Sequence, residues 1–329
     1  MTGDLIIRAL HPEESGPVAD LANTTSATDV RYVLRPALVD CIARGRSDCA
    51  LVAESAGDLV AAVTVLPDRV YPGTIEARLA VKPGYQRRGI ATEMVGRLWG
   101  DQRWAEDADT VVTSLRDDLY AGRSFAERHG FTFVSHSVGY RYDLSRDEGE
   151  LAVHADRAAA RAAVKVRRAL WDSERKTITE CFKRCRAGLP LPYGNRPVDV
   201  AARLREFPAD TVYLLAEALS GPDSRPIGMT ILIPQPDDKS WYTRFSGTVH
   251  EHRGHGVAAA VKAAALSLAS RVGASAVTAH NEEANRGIRS VNEALGMKPD
   301  VGYWSLTRPL SGPRRDLNLD HGPGPSAEV

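Results

Sequence analysis

The chain has 329 residues, enough for two domains of ordinary size that each bury a hydrophobic core. Lysine plus arginine equals aspartate plus glutamate at 42 each, so no net positive field attracts nucleic acid or an anionic membrane surface. No stretch reaches the roughly 18 apolar residues that cross a bilayer. We therefore expect a cytoplasmic protein that acts on a small molecule or on a single protein and has neither nucleic acid nor membrane as a partner.

The same order of elements runs through the chain twice. Each run opens with a short strand that ends in Arg-Ala-Leu, at 4–10 and again at 164–170, and a helical stretch follows. Three further strands, a loop and a helix come next in both halves. These strands are predicted at 49–54, 58–66 and 74–82, and at 211–217, 226–234 and 241–249; the helices are predicted at 88–100 and 255–271.

Each half then closes with an apolar strand and a last helix that ends at a glycine. The strands are predicted at 110–115 and 275–280, and the glycines are Gly130 and Gly296. These glycines are separated by nearly the same length of chain as the two loops that precede the helices. The repeat predicts domains at 1–144 and 164–310. A charged, alanine-rich linker or linking helix is predicted at 145–163, and a disordered tail at 311–329.

The four cysteines predict neither disulfides nor a metal site. They form no CxxC pair and have no cysteine or histidine at zinc-ligand spacing. Cys181 and Cys185 are four residues apart and would share one helix face, where we expect them to pack as reduced thiols.

A glycine-containing loop joins the third strand of each half to the helix after it. The segments are QRRGIA at 86–91 and HRGHGVA at 252–258. A helix N-terminus carries unpaired N–H groups and partial positive charge, so such a loop can hold a diphosphate. Gly89 lets the backbone approach the anion, and the small side chain of Ala91 leaves it room. The P-loop motif GxxxxGK[ST] is absent, and GxGxxG does not follow the early strands, which disfavours kinase and dehydrogenase functions.

These loops resemble the pyrophosphate loop [QR]xxGx[GA] of the GNAT superfamily of acyl-CoA N-acyltransferases. The residues that match are Val81, Pro83, Gln86, Gly89 and Ala91 in the first half and Arg253, Gly256 and Ala258 in the second. The similarity covers about 4–144 and 164–308. It implies an α/β fold of two tandem GNAT domains, each a mixed central sheet flanked by helices. It also implies that one or both domains bind acetyl-CoA or another acyl-CoA.

The resemblance implies cofactor-binding residues in both halves. In the first half they are Leu79, Ala80, Val81, Gln86, Arg87, Arg88, Gly89, Ile90, Ala91 and Thr92. In the second half they are Ser246, Gly247, Thr248, Arg253, Gly254, His255, Gly256, Val257, Ala258, Asn281, Asn285 and Asn292. The strand residues 79–81 and 246–248 are expected to supply a backbone N–H to the oxyanion, and the asparagines to contact the pantetheine arm.

Transfer to an amine needs a base, because an alkylamine with a pKa near ~10.4 is almost wholly protonated at neutral pH. Glu76 is the candidate in the first half, one strand position from the place that the resemblance implies. Asp117 and Asp118 lie further away. In the second half the polar groups nearby are Tyr242, His250 and His280, of which Tyr242 and His280 are the candidates.

The general acid of the family is commonly a tyrosine four residues before the last glycine. Ala126 and Asn292 stand at that position in the two halves, and Tyr120 is the candidate that remains. The resemblance implies direct N-acetyl transfer from acetyl-CoA to a primary amine of a small molecule. The missing tyrosines leave open that one or both domains only bind acyl-CoA, and O-acyl transfer on the same scaffold is a further alternative. The acceptor, the acyl group, the catalytic half and the oligomeric state stay open.

Overall fold

The computed structural model describes most of the chain. The described residues are 5–68, 73–100, 102–105, 108–145, 149–187, 200–205, 207–220, 225–235 and 238–310. The tail predicted at 311–329 lies outside them. Among the described residues, no helix is long and apolar enough to cross a membrane.

The predicted strands lie where the apolar runs place them, within two residues at each end. In the first half the strands are β1 Leu5–Ala9, β2 Ala50–Ser55, β3 Asp58–Pro67, β4 Thr74–Val81, β5 Thr110–Arg116 and β6 Thr132–Asp143. In the second half they are β7 Val164–Ala169, β8 Val212–Ala218, β9 Gly228–Pro234, β10 Trp241–Thr248, β11 Ala276–Glu282 and β12 Lys298–Pro309. The sequence pattern predicts all of these except β6 and β12, which follow the last helix of each half.

The helices follow the same repeat. They are α1 Ser15–Asn23, α2 Arg31–Ala43, α3 Ile90–Gly100, α4 Tyr120–Arg128, α5 Glu150–Arg161, α6 Trp171–Arg186, α7 Val200–Arg205, α8 Val257–Arg271 and α9 Arg286–Ala294. The sequence pattern does not predict α2, because Pro36 interrupts it and a proline inside a helix costs ~3 kcal/mol. The segment expected to join the halves forms α5, which packs against α8.

The described strands form one twelve-stranded mixed sheet. Its order is β1-β2-β3-β4-β5-β12-β6-β11-β10-β9-β8-β7. The last strand of the second half, β12, therefore pairs with β5 of the first half, and β6 of the first half pairs with β11 of the second. The two exchanged strands pair with each other at the centre. Each half is thus completed by a strand from the other.

The central pair leaves no room for a side chain at two glycine positions. A Cβ atom on Gly139 of β6 would lie 2.0 Å from the carbonyl oxygen of Val301. One on Gly302 of β12 would lie 2.3 Å from the carbonyl oxygen of Ser137. β12 also shifts register against β6 between residues 300 and 303. The crossing of the two halves depends on this close backbone contact.

Helices cover both faces of the sheet in each half. In the first half, α1 and α2 pack on one face around Leu38, and α3 and α4 pack on the other around Met94. In the second half, α6 and α7 cover one face around Ile178, while α8 covers the other around Leu266. These layers hold the ends of β4, β5, β10 and β11 in place, and the candidate site lies at those ends.

Candidate functional site

A cleft opens in each half where two parallel strands stop pairing. β4 and β5 pair from Thr74 to Glu76 of β4, and β10 and β11 pair from Trp241 to Thr243 of β10. The strands continue beyond these residues, so their facing backbone groups are left for a ligand. We call the gap between β4 and β5 the N-terminal cleft and the gap between β10 and β11 the C-terminal cleft.

The N-terminal cleft has a volume of about 890 Å³ and a largely apolar wall. Residues of β4, α3, β5 and α4 line it, including Leu79, Val95, Trp99 and Leu115, and Phe131 between α4 and β6 lines it as well. The volume lies within the range of about 300–1,000 Å³ that small-molecule sites occupy. The predicted loop residues at 86, 87, 89, 90, 91 and 92 also line this cleft.

The two glycine loops have closely matching geometry. Gly89 and Gly256 have φ of +83° and +81°, the left-handed region that favours glycine, and each directly precedes the first residue of a helix. Gln86 donates from Nε2 to the carbonyl of Val81 at 2.9 Å. The residue matched with Gln86, Arg253, donates from Nε to the carbonyl of Thr248 at 3.2 Å. Both loops therefore present free helix N–H groups to an anion.

The positive charges of the two loops differ. Arg87 and Arg88 are exposed at the N-terminal loop, and the Arg88 guanidinium lies 5.1 Å from the ring centre of Tyr85. Gly254 and His255 occupy the matched positions in the second loop. The second loop therefore lacks both arginines.

A β-bulge distinguishes β10 from β4. Glu76 and Tyr242 occupy matched positions, because each pairs with the corresponding residue of the next strand, β5 or β11. The ladder between β10 and β9 then skips Arg244, so the C-terminal half has one extra position before its loop. β4 instead pairs with β3 in continuous register. Bulges beside active sites re-aim backbone groups, and this one lies where the C-terminal cleft opens.

Residues that line the N-terminal cleft and the residues matched with them in the second half differ in polarity. The pairs, N-terminal residue first, are Ala77 and Thr243, Leu79 and Ser246, Val81 and Thr248, Val95 and Lys262, Leu115 and Asn281, Leu119 and Asn285, and Ala126 and Asn292. Among the described residues, the hydroxyls of Thr243 and Thr248 are buried without a hydrogen-bond partner. A buried polar atom without a partner costs about 1–3 kcal/mol, so a polar ligand would stabilise the C-terminal cleft.

Asn292, one of the predicted contacts, is fully buried in α9. Its Nδ2 donates to Oδ1 of Asn281 at 2.6 Å, which joins α9 to β11. Its own Oδ1 accepts no hydrogen bond from any residue that the structure describes. Asn285 immediately precedes α9 and its side chain makes no capping hydrogen bond. Two of the three predicted asparagines are therefore in direct contact, and Asn292 retains an open acceptor.

His280 lies on β11 at the position matched with Ser114, which lines the N-terminal cleft. Its Nε2 is 2.9 Å from the carbonyl oxygen of Val301 on β12. A carbonyl only accepts, so the neutral ring carries its proton on Nε2 and keeps a lone pair on Nδ1. Nδ1 is buried and has no partner within the described part of the chain.

Burial lowers the pKa of His280, since the charged ring is poorly solvated there. The hydrogen bond to Val301 and the nearby carboxylate of Asp300 act in the opposite direction but do not overcome burial. The rings of Tyr242 and Tyr303 lie 5.7 and 5.2 Å from the imidazole, centre to centre. His280 is therefore a neutral base with one free nitrogen.

The candidate groups of the first half are placed differently. The carboxylate of Glu76 accepts a hydrogen bond from the Arg78 guanidinium, which also donates to the Ser26 hydroxyl. Tyr120 lines the N-terminal cleft at the start of α4 and is 71% exposed, with its ring 5.3 Å from that of Trp304. Glu76 is thus held in an ion pair, and Tyr120 is open to solvent.

Two features of the site are not predicted from the sequence. Lys262 is buried in the alanine-rich helix α8, where a lone charged residue in an apolar stretch was the only signal. On β6, Nε2 of His136 lies 2.9 Å from the Asp117 carboxylate, and its Nδ1 lies 3.5 Å from the Glu283 carboxylate. These two contacts join the ends of β5 and β11 through an exchanged strand. Among the described residues, no cluster of histidine, cysteine and acidic side chains is arranged to hold a metal ion.

Both halves thus share a pair of parted parallel strands followed by a glycine loop at a helix N-terminus. Residues 46–133 match the family model described as an acetyltransferase (GNAT) domain. The first half therefore matches a GNAT domain over residues 46–133, and the fold of the whole chain is similar to that of a tandem GNAT protein. This confirms the fold class predicted from the two loops.

Solved structures of similar fold cover both halves together. A GCN5-related N-acetyltransferase from Sphaerobacter thermophilus has a TM-score of 0.65 and 18% identity, over 94% of this chain and 97% of that one. A tandem GNAT protein from the clavulanic acid biosynthesis pathway has a TM-score of 0.66 and 18% identity, over 93% and 98%. A putative acetyltransferase from Pyrococcus horikoshii has a TM-score of 0.55 and 16% identity, over 93% and 89%. No curated protein matches the sequence significantly.

Proposed function

We propose that the protein is an acetyl-CoA-dependent N-acetyltransferase that moves an acetyl group directly to a primary amine of a small molecule. The reaction is assigned to the C-terminal cleft. The observation that carries this assignment is His280, which has a fixed tautomer and a free, buried Nδ1 where β10 and β11 part. The matched residue in the N-terminal cleft is a serine, which is not a base at neutral pH.

The chain supplies three functions to this reaction. The helix N-terminus at Gly256 binds the diphosphate, and Asn292 accepts a hydrogen bond from an amide of the pantetheine arm. The bound thioester supplies an activated acyl carbon. His280 Nδ1 removes a proton from the acceptor amine as the new C–N bond forms and the C–S bond breaks. A backbone N–H of 246–248, or one re-aimed by the bulge, stabilises the oxyanion.

Tyr242 lies next to His280 and is the candidate for the group that returns a proton to the CoA thiolate. It occupies the position matched with Glu76, so the two halves carry different polar groups at the same place on the strand. Residues directly opposite each other on parallel strands point to the same side of the sheet, and so do alternate residues along one strand. Tyr242 and His280 therefore share one face, and the acceptor enters on that face.

The apolar N-terminal cleft favours a second function for the first half. It offers a diphosphate loop with two arginines, while Glu76, its leading candidate base, is paired with Arg78. We infer that this cleft holds acyl-CoA as a bound ligand and does not carry out transfer. The O-acyltransferase alternative uses the same groups and is distinguished by the acceptor.

Replacement of His280 tests the assignment. We expect His280→Gln to lower kcat for acetyl transfer by about 10²–10⁴-fold, the range for loss of a general base, while CoA binding is unchanged. Release of thiol from acetyl-CoA, measured against a panel of amines and alcohols, gives the rate and the acceptor class. Because the pKa of His280 is lowered, the wild-type rate should persist below pH 6.5, and the acidic limb of the profile should vanish in the variant.

The matched control is Ser114→Gln in the N-terminal cleft, which should leave kcat unaffected. A loss of activity in Ser114→Gln with none in His280→Gln would reverse the assignment of the two clefts. Full activity in both would exclude His280 as the base. Absence of thiol release with every amine, although CoA binds, would support a binding protein instead.

A further inference from the structure

Lys262 is a buried cation with no counter-charge. Only 3% of the residue is exposed on α8, and burial is the single influence on its pKa, with no charged side chain of the described residues acting on it. A lysine is almost never fully buried without a partner, because removing its charge from water costs several kcal/mol. None of the described residues therefore supplies a charge that compensates this amine.

The position of Lys262 on α8 places its side chain toward the glycine loop of the C-terminal cleft. It lies four residues after Ala258, so the two residues share one face of α8, one turn apart. Ala258 is the small residue of the diphosphate loop, and side chains on a helix lean toward its N-terminus. The matched residues Ala91 and Val95 both line the N-terminal cleft. A flexible four-carbon stem can thus carry the amine back toward the loop.

The two halves carry their positive charge in different places. It lies on the glycine loop in the N-terminal half and on the helix behind the loop in the C-terminal half. The N-terminal loop has Arg87 and Arg88 and an uncharged Val95, whereas the C-terminal loop has Gly254 and His255 with Lys262 behind them. Arg253 does not fill this gap, because its guanidinium donates to the carbonyls of Thr248, Cys185 and Ala187. Lys262 is then the remaining lysine or arginine on the cleft-facing side of this loop, among the residues that the structure describes.

We propose that Lys262 binds the diphosphate of acyl-CoA in the C-terminal cleft and replaces the two loop arginines of the N-terminal cleft. This inference rests on the proposed function, since it assumes that the C-terminal cleft takes acyl-CoA. The open Oδ1 of Asn292, which is fully buried, independently indicates that a polar ligand enters the same cleft. The uncharged amides of the pantetheine arm suit Asn292, and the anionic diphosphate, bound at the N-terminus of α8, can balance an ammonium group.

Proton uptake would accompany this contact. Burial alone lowers the pKa of Lys262 to about 8, and no ionisable side chain of the described residues opposes it. A diphosphate beside the amine raises that pKa again, so a fraction of a proton is taken up on binding near pH 8. Calorimetry in two buffers of different ionisation enthalpy measures this uptake.

The test uses the full chain with the N-terminal loop blocked by Ala91→Trp, so that one cleft remains. In this background we expect Lys262→Met to weaken CoA binding by about 10–100-fold and to abolish the proton uptake near pH 8. Binding of pantetheine, which lacks the diphosphate, should not change. His255→Arg added to Lys262→Met should restore most of the affinity. The exposed Lys165→Met is the matched control and should change nothing.

The outcomes separate the two proposals. If the blocked protein with an intact Lys262 binds no CoA, the proposed function of the C-terminal cleft fails, and this inference fails with it. If CoA binds but Lys262→Met weakens the binding of CoA and of pantetheine equally, the inference alone is overturned. The same holds if Lys262→Met weakens the binding of neither ligand. An acyl group attached covalently to Lys262 in the intact mass would also overturn it. Melting of the free protein checks folding: Lys262→Met should melt at a higher temperature because an uncompensated charge is removed.

Discussion

At the scale of single residues, the two clefts diverge through side chains while their backbones stay alike. The glycines Gly89 and Gly256 share a left-handed backbone with nearly equal φ, yet Ala126 is replaced by Asn292 and Ser114 by His280. Such exchanges alter what each cleft can bind without altering the loops. Homologous geometry therefore does not imply that both clefts carry out the same chemistry.

Gly139 provides a residue-scale prediction about stability. Gly139→Ala places a methyl group against the carbonyl of Val301 at a distance that no packing allows, so β6 or β12 must move. We expect a loss of about 1–3 kcal/mol or more in the free energy of unfolding, measured by denaturant titration. Gly96→Ala is the matched control, because Gly96 lies inside α3 with open space around it. That change should stabilise the protein by about 0.5–1 kcal/mol. Equal effects of the two substitutions would contradict the close contact.

The sequence locates the two loops from a local pattern, whereas it names several candidate bases, including His280, and has no means of choosing among them. Gly89 and Gly256 are recognisable because a diphosphate site needs local backbone geometry, which a short motif can encode. The role of His280 depends on the Val301 carbonyl, which arrives on β12 after the strands have been exchanged. Lys262 likewise becomes conspicuous only when burial is known. Long-range contacts of this kind leave no local pattern.

At the scale of elements, each half ties its first strand to its first helix by the same ion cluster. Arg8 on β1 contacts Glu14 and Glu54, and Arg167 on β7 contacts Glu174 and Glu217. In both halves the first glutamate also accepts a backbone N–H, from residue 11 or residue 170. The repeat thus extends from the order of elements to the contacts that anchor the first helix of each half.

These clusters predict a loss of stability in acid. The Arg8 hydrogen bond lowers the pKa of Glu14, so its contribution is present above the ordinary glutamate pKa near ~4.3 and is lost as the pH falls below it. Arg8→Met should therefore cost about 0.5–1 kcal/mol at pH 7 and less at pH 3.5, measured by thermal melting at both pH values. Arg44→Met, which removes an exposed pair with Asp40, should change stability little at either pH. A pH-independent cost in Arg8→Met would refute the ionic explanation.

At the scale of the whole molecule, the exchange of β6 and β12 joins two repeats into one sheet. The repeat boundaries at 1–144 and 164–310 describe the sequence, but β12 completes the first half and β6 the second. A nearly constant spacing between matched positions predicts two similar units. It carries no information about which unit the last strand of each half pairs with. Only pairing across the centre, such as Trp304 of β12 with Leu115 of β5, establishes the exchange.

The exchange predicts how fragments behave. A fragment of residues 1–163 keeps β6 but lacks β12, so β5 loses its neighbour and its apolar edge is exposed. We expect this fragment and the fragment 164–329 to be unstable or to aggregate alone, and to copurify as a 1:1 complex when expressed together. Size-exclusion chromatography with light scattering measures the stoichiometry. Two monomeric, cooperatively folded fragments would show that each half completes its own sheet.

The shared centre also bears on how the two clefts could come to differ. Because neither half has a complete sheet without the other, loss of catalysis in one cleft does not make that half dispensable. Selection for folding would retain a catalytically silent half, and its cleft would be free to acquire another ligand or a regulatory duty. The buried polar groups of one cleft and the apolar wall of the other are what we expect of a duplicated chain whose two halves no longer need the same function. The halves still need each other to complete the sheet.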